Sequence, residues 1–189
     1  LIICNFERIF CFMETIQIWD LFFKPSISEN EINKRVKELG EQILKDYNNE
    51  PPILICVLNG SYVFSADLSR AIDTPTEIHF MKVSSYDGLQ STGVIKEELP
   101  LKIDIAGKDL LIIEDIIETG NTLYHLQKKL IDEGCKSCKI AALLVKNDIL
   151  KGRIKVDYEG FAINNDFVVG YGMDYNNKGR NLKSIYTLV

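Results

Sequence analysis

The stretch DLLIIEDIIETGNTL, residues 109–123, decides the fold of this chain. Its first five residues, DLLII, are almost wholly apolar, which is typical of a strand buried on both faces of a parallel sheet. Two adjacent carboxylates, Glu114 and Asp115, follow that strand, and residues 119–122, TGNT, then open a predicted helix. Because open α/β sheets bind ligands at the carboxyl ends of their strands, we expect a ligand site at this point of the chain.

The residues after this strand combine two kinds of chemistry. Small hydroxyl and amide residues with a glycine allow successive backbone N–H groups to point at one anion, and a helix N-terminus favours negative charge. Glu114, Asp115 and Glu118 would repel a phosphate, so they fit sugar hydroxyls or a Mg²⁺ ion instead. A ribose 5-phosphate fits both groups of residues, because its phosphate suits the backbone N–H groups and its hydroxyls suit the carboxylates. The alternative interpretation is that Glu114 and Asp115 only cap a helix and face solvent.

The segments around this motif predict an α/β fold. Ser28 and Glu31 form a predicted capping box at the start of an amphipathic helix. Buried strands that alternate with helices imply a mostly parallel sheet with helices on both faces, and short strands towards the carboxyl end are expected to add a small antiparallel flap. In chain order we expect helices at 28–47, 62–72 and 122–134 and strands at 53–58, 77–83, 109–113 and 139–145.

Bulk composition excludes several classes of protein. A chain of 189 residues with 46% apolar residues is long enough for one folded domain and too apolar for a disordered chain. The sequence has no charge-free apolar run of about 18 residues, so we expect no membrane-spanning helix. Its net charge of −5 disfavours nucleic acid as a partner. We therefore expect a soluble, mildly acidic protein of the cytoplasm.

Two further features of the sequence have simple interpretations. Residues 1–12, LIICNFERIFCF, precede Met13, and we interpret them as upstream or otherwise non-native sequence, leaving residues 13–189 as a single domain. The alternative is an amphipathic helix that covers a partner surface. Cys135 and Cys138 form a CxxC, which could be redox-active or half of a zinc site. A structural zinc site needs two more ligands at comparable spacing, and the chain has only two histidines, His79 and His125, so we do not expect this CxxC to be functional.

The segment IIEDIIETGNTL resembles the phosphoribosyl-pyrophosphate motif of type I phosphoribosyltransferases. Four other stretches resemble the hypoxanthine(-guanine) phosphoribosyltransferases more narrowly: VLNGSYVFSADL (57–68), SSYDGLQSTG (84–93), LLVK (143–146) and DFVVGYGMDYNNKGRNL (166–182). The resemblance implies the type I phosphoribosyltransferase fold, with a small hood beside the main sheet. It also implies Mg²⁺-dependent transfer of ribose 5-phosphate from phosphoribosyl pyrophosphate to a purine, with release of pyrophosphate, as in purine salvage.

The resemblance also implies a role for individual residues of this chain. The ribose and 5′-phosphate would be bound by Glu114, Asp115, Ile117, Thr119, Gly120, Asn121 and Thr122. The pyrophosphate would be bound by Asn59, Gly60 and Arg180, and the purine by Lys146, Phe167, Val168 and Asp174. The metal ion would be held by Asp174, Glu114 and Asp115.

Two positions depart from the family pattern. Glu118 stands where the family usually has an aspartate that accepts a proton from the purine ring nitrogen, and it is one methylene longer. Asn59 stands where many members have a lysine, and we expect a non-proline cis peptide bond before it. The polar segment 84–98, with Ser85 and Tyr86, resembles the mobile lid of these enzymes, and a plain surface hairpin is the alternative.

The resemblance predicts a base preference and leaves some rivals open. Lys146 would donate to the 6-oxygen of the purine, so an adenine amino group would place donor against donor and be rejected. The rivals are an RNA-binding regulator on the same scaffold, a sugar-phosphate binder without catalysis, and a xanthine or pyrimidine branch. The family commonly forms homodimers or homotetramers, and the same is expected here.

Overall fold

A computed structural model describes residues 15–85, 95–150, 152 and 154–189. The elements are β1 (Ile16–Ile18), β2 (Leu21–Ile27), α1 (Glu29–Asp46), β3 (Ile53–Val57), α2 (Tyr62–Ala71), β4 (Ile78–Ser85), β5 (Ile95–Leu99), β6 (Asp109–Ile117), α3 (Asn121–Asp132), β7 (Ser137–Val145), β8 (Tyr158–Ala162), β9 (Val168–Val169) and β10 (Ile185–Leu188). A six-stranded sheet in the order β5-β4-β3-β6-β7-β8 forms the centre of the structure, and it is parallel except for the edge strand β5. A four-stranded antiparallel sheet in the order β1-β2-β10-β9 lies beside it and forms the hood.

Helix α1 begins at the capping box that the sequence predicts. The Ser28 side chain accepts from the Glu31 backbone N–H, and the Glu31 carboxylate accepts from the Ser28 N–H at 2.9 Å. The helix then crosses α2 closely at Gly40, where an added Cβ would lie 2.5 Å from the carbonyl carbon of Ala71. A glycine is therefore required at this crossing. The apolar face of α1 is buried at Ile32, Val36, Leu39 and Ile43.

Helices cover both faces of the central sheet, which confirms the predicted architecture. All five residues of β3 are buried, as expected for a strand covered on both sides. One core lies beneath α1 and α2 and includes Phe64 and Leu68. The second core lies beneath α3 and includes Leu126 and Leu130.

The hood contains strands that the sequence analysis did not predict. The strands at its carboxyl-terminal end, β9 and β10, were expected, whereas β1 and β2 were not. The alternation of apolar and polar residues is broken by the turn at Trp19, which has φ +55°, and by Pro25 inside β2. Burial of Phe23 within the hood, in one cluster with Ile18 and Val169, supplies the tertiary contact that fixes these strands.

Two predicted boundaries were wrong in ways that affect the site. Strand β6 continues to Ile117 instead of ending at 113, because its parallel pairing with β7 continues to Val145. Glu114 and Asp115 therefore lie within the strand. The second boundary is the end of the predicted strand 77–83, since β4 continues to Ser85 and pairs there with β5. Both ends of the segment 84–98 are therefore strands, while residues 86–94 lie outside the described part.

Within the described ranges of the chain, none of the helices has the length and apolar character needed to cross a membrane. Residues 1–14, and with them the predicted upstream segment, lie outside those ranges.

Candidate active site

The two carboxylates at the end of β6 lie at the junction of two adjoining cavities. Glu114 lines a cavity of about 350 Å³, and Asp115 lines one of about 270 Å³. Burial raises the pKa of Glu114 well above its usual range, and the charge and hydrogen bond of Asp115 raise it further. Two adjacent carboxyl groups can accept hydrogen bonds from the hydroxyl groups of a ligand.

The larger cavity is formed by the segment between β6 and α3, and we call it the phosphate cup. Residues 118–122 line it, together with Glu114 and Ile117. Gly120 occupies the N-cap position of α3 with φ +73°, and the Asn121 backbone N–H donates to Thr119 Oγ1 at 3.4 Å. The N-terminal end of α3 therefore faces the cup with its partial positive charge, as the sequence predicted for an anion site.

The loop after β3 closes one side of the acid pair. The peptide bond between Leu58 and Asn59 is cis, as expected from the resemblance. Gly60 lies directly against the carboxylate of Asp115, because a Cβ on this glycine would fall 1.8 Å from Oδ2. A Cβ on Gly172 would likewise fall 2.0 Å from the Gly60 carbonyl oxygen. The loop therefore fits between the acid pair and the turn after β9 only because both Gly60 and Gly172 lack a side chain.

The smaller cavity, which we call the base cavity, contains a buried lysine. The Lys146 backbone N–H donates to the Ile117 carbonyl oxygen at 2.9 Å, which ties the end of β7 to the end of β6. Its side chain is 5% exposed, and its ammonium group forms an ion pair with Glu118. The Nζ atom also donates to Asn165 Oδ1 at 3.3 Å. A buried ammonium therefore faces the cavity with carboxylate and amide partners already in place.

An aromatic ring forms one wall of the base cavity. Phe167 lines this cavity and is 43% exposed. Its ring is supported by Phe23 at 6.1 Å and by Tyr175 at 5.8 Å between ring centroids. Val168 follows it in β9 and lines the same cavity. A planar base could stack on Phe167 while its edge faces Lys146.

An ion pair lies at the far end of the base cavity. Arg180 Nη2 contacts Asp174 Oδ1 at 2.6 Å, and Arg180 Nη1 donates to the Gly172 carbonyl oxygen at 2.8 Å. Asp174 Oδ2 accepts from the Asn177 backbone N–H at 2.7 Å. Both charged side chains are thus held in place where an anionic group at this end would meet the guanidinium.

The described residues fit a divalent metal only if a ligand supplies part of its coordination. None of their histidine, cysteine and acidic side chains form a group of three that could hold an ion alone. Mg²⁺ commonly keeps several waters and binds through one or two carboxylates plus substrate phosphates. Asp174, Glu114 and Asp115 can provide such carboxylates.

The structure brings the sequence-predicted residues together, although their roles remain predictions. Except for the lid, each predicted residue lines one cavity or both, and Glu118 lines both. Ser85 ends β4, and Tyr86 lies outside the described residues. Sequence reasoning missed Ile116, which lines both cavities inside the quoted motif, because it reads as a strand residue. It also missed further lining residues, namely Val57, Val83, Leu123, Asp166 and Met173.

Comparison with known proteins identifies the family of this chain. The Phosphoribosyl transferase domain family matches residues 27–176. A hypoxanthine-guanine phosphoribosyltransferase of Streptococcus pneumoniae is 45% identical over 166 residues, which are 87% of this chain and 92% of that protein. A hypoxanthine phosphoribosyltransferase structure from Staphylococcus aureus is 43% identical with a TM-score of 0.80, covering 88% of this chain and 91% of the other.

Another solved structure is described as the glutamic acid mutant in an analysis of an invariant aspartic acid in HPRTs. It is 37% identical with a TM-score of 0.82 and covers 87% of this chain and 94% of the other. With this fold, these two cavities and these similarities, the chain belongs to the phosphoribosyltransferase family and, within it, to the hypoxanthine-guanine phosphoribosyltransferases.

Proposed function

We propose that this chain transfers the 5-phosphoribosyl group of phosphoribosyl pyrophosphate to hypoxanthine or guanine, which yields IMP or GMP and pyrophosphate. One observation carries the proposal. The phosphate cup and the base cavity adjoin, and Glu118 lines both of them. A nucleoside monophosphate needs this arrangement, because its phosphate and its base lie at opposite ends of one ribose.

In this proposal each end of the ligand is held by complementary groups. The phosphate lies in the cup at the N-terminus of α3, and the ribose hydroxyls contact Glu114 and Asp115. The base stacks on Phe167 and accepts a hydrogen bond at its 6-oxygen from Lys146. An amino group at that position would place a donor against the ammonium, so adenine is rejected.

The reaction breaks the bond between the ribose C1 and the pyrophosphate oxygen and forms a bond from C1 to the purine ring nitrogen. Glu118 accepts the proton that the ring nitrogen loses. Arg180 donates to the departing pyrophosphate, with the backbone of Asn59 and Gly60 close beside it. Mg²⁺, when bound with the diphosphate through carboxylates such as Asp174, would neutralise charge on the leaving group.

The proposal extends to the segment 84–98, which would close over the reacting groups with Ser85 and Tyr86. Exclusion of water there would protect the ribosyl cation from hydrolysis. The proposal also includes assembly into a homodimer or homotetramer and a cytoplasmic location, both supported by the family. Light scattering after size exclusion would measure the assembly.

Steady-state kinetics with phosphoribosyl pyrophosphate, Mg²⁺ and each of four bases test the function directly. We expect turnover with hypoxanthine and guanine and essentially none with adenine, while xanthine reports how strictly the 2-position is read. Lys146→Met should abolish turnover with both oxopurines. Lys183→Met is the matched control, because that lysine is 77% exposed in the segment before β10. Absence of turnover with all four bases in the wild type would refute the proposal.

A further inference from the structure

The ammonium group of Lys146 is held by a residue outside the base cavity. Lys146 and Glu118 line the cavity, whereas Asn165 does not. Asn165 lies in the turn between β8 and β9, and its Oδ1 accepts from the Lys146 Nζ at 3.3 Å. Asn165 can therefore act on a ligand through Lys146 or through its chain neighbours Asp166 and Phe167, which line the cavity.

The three protons of the ammonium group divide between these neighbours and the ligand. One is directed at Glu118 and one at Asn165, so one remains for a carbonyl oxygen of the base. The two acceptors differ in side-chain length. The Glu118 side chain is 57% exposed and has one more rotatable bond than that of Asn165, so it can turn towards the purine ring nitrogen during the reaction. Asn165 is exposed as well, and its shorter side chain has fewer ways to leave the ammonium.

We propose that Asn165 is a positioning residue for recognition of the purine 6-oxygen. It keeps the Lys146 ammonium aimed at the base cavity when the base binds, beside the ion pair with Glu118. The inference rests on the proposed function for its kinetic meaning. Whether or not turnover occurs, Asn165 sets the affinity for a 6-oxopurine through Lys146.

Two variants that remove the acceptor oxygen and one conservative variant test this inference. Asn165→Ala and Asn165→Leu remove the acceptor, and we expect the KM for hypoxanthine to rise about fivefold, in keeping with the loss of one long hydrogen bond to a charged group. The kcat should stay within about twofold, and the KM for phosphoribosyl pyrophosphate should not change, because neither depends on that contact. Asn165→Asp retains an acceptor oxygen and should restore the wild-type KM.

The matched control is Asn164→Ala, which truncates the neighbouring exposed asparagine of the same turn. We expect wild-type kinetics from it. A merely structural role of Asn165 would predict a lower melting temperature and equal losses for both substrates. Either that pattern or an unchanged KM for hypoxanthine in both Asn165→Ala and Asn165→Leu overturns the inference.

Calorimetric titration with IMP separates this inference from the proposed function. If the wild type binds IMP but does not turn over, the proposed function fails. In that case a fivefold larger Kd for IMP in Asn165→Ala still supports the positioning role, and an unchanged Kd overturns it. If the wild type neither turns over nor binds IMP, both fail.

Discussion

Gly60→Ala tests the contact between the loop after β3 and the acid pair. The new Cβ would lie 1.8 Å from Asp115 Oδ2, 2.4 Å from Cγ and 2.9 Å from Oδ1. Carbon and oxygen atoms need more than 3 Å, so the carboxylate must move by more than 1 Å. In the proposed complex Asp115 then loses a charge-assisted hydrogen bond to a ribose hydroxyl, which contributes about 1.5–3 kcal/mol. At 1.36 kcal/mol per factor of ten, kcat/KM for phosphoribosyl pyrophosphate should fall roughly 10- to 150-fold.

Initial rates at varied phosphoribosyl pyrophosphate and saturating hypoxanthine measure this loss. Gly107→Ala is the control, because its Cβ would meet nothing within 4 Å among the described residues. That glycine has φ +70°, so alanine should cost some stability, seen as a lower melting temperature, without changing kcat/KM. An unchanged kcat/KM in Gly60→Ala would refute the assignment of Asp115 to the ribose.

Three further variants test other parts of the account. Glu118→Gln keeps the length of the side chain but cannot accept the purine proton, so single-turnover rates should fall roughly 100-fold or more; a near wild-type rate would exclude its role as base. Gly40→Ala places a Cβ 2.5 Å from the Ala71 carbonyl carbon, so urea melts should show about 1–3 kcal/mol lower unfolding free energy, and an unchanged midpoint would contradict that packing. Hydrogen bonds from Lys136 and Ser137 lower the pKa of Asp109, so its stabilising effect is present above the ordinary aspartate pKa of about 4 and is lost at lower pH. Asp109→Asn should therefore destabilise the protein at pH 7 and much less near pH 3, and equal destabilisation at both pH values would contradict this.

The sequence predicted the central sheet because its signals are local. The apolar runs of β3, β6 and β7 and the capping box of α1 each reside in one short segment, and each was confirmed. The start of the hood was missed, because β1 and β2 are fixed by burial of Phe23 against distant residues rather than by an alternating pattern. Local propensity does not encode such contacts.

The candidate site divides in the same way. The acid pair and the segment 119–122 could be predicted from one stretch, since the chemistry follows from residue types in sequence. Asn165 could not, because an asparagine in a polar turn has no distinguishing feature until Lys146 is folded beside it. The close contact of Gly60 with Asp115 joins a loop and a strand that are more than 50 residues apart in sequence, so it also appears only in three dimensions.

A crystal structure with bound IMP tests the central claim most directly, because this one molecule must span both cavities. We expect its phosphate at residues 119–122, its ribose hydroxyls against Glu114 and Asp115, and its 6-oxygen within hydrogen-bond distance of Lys146 Nζ. A phosphate bound outside the cup, or a base bound away from Phe167 and Lys146, would contradict the account.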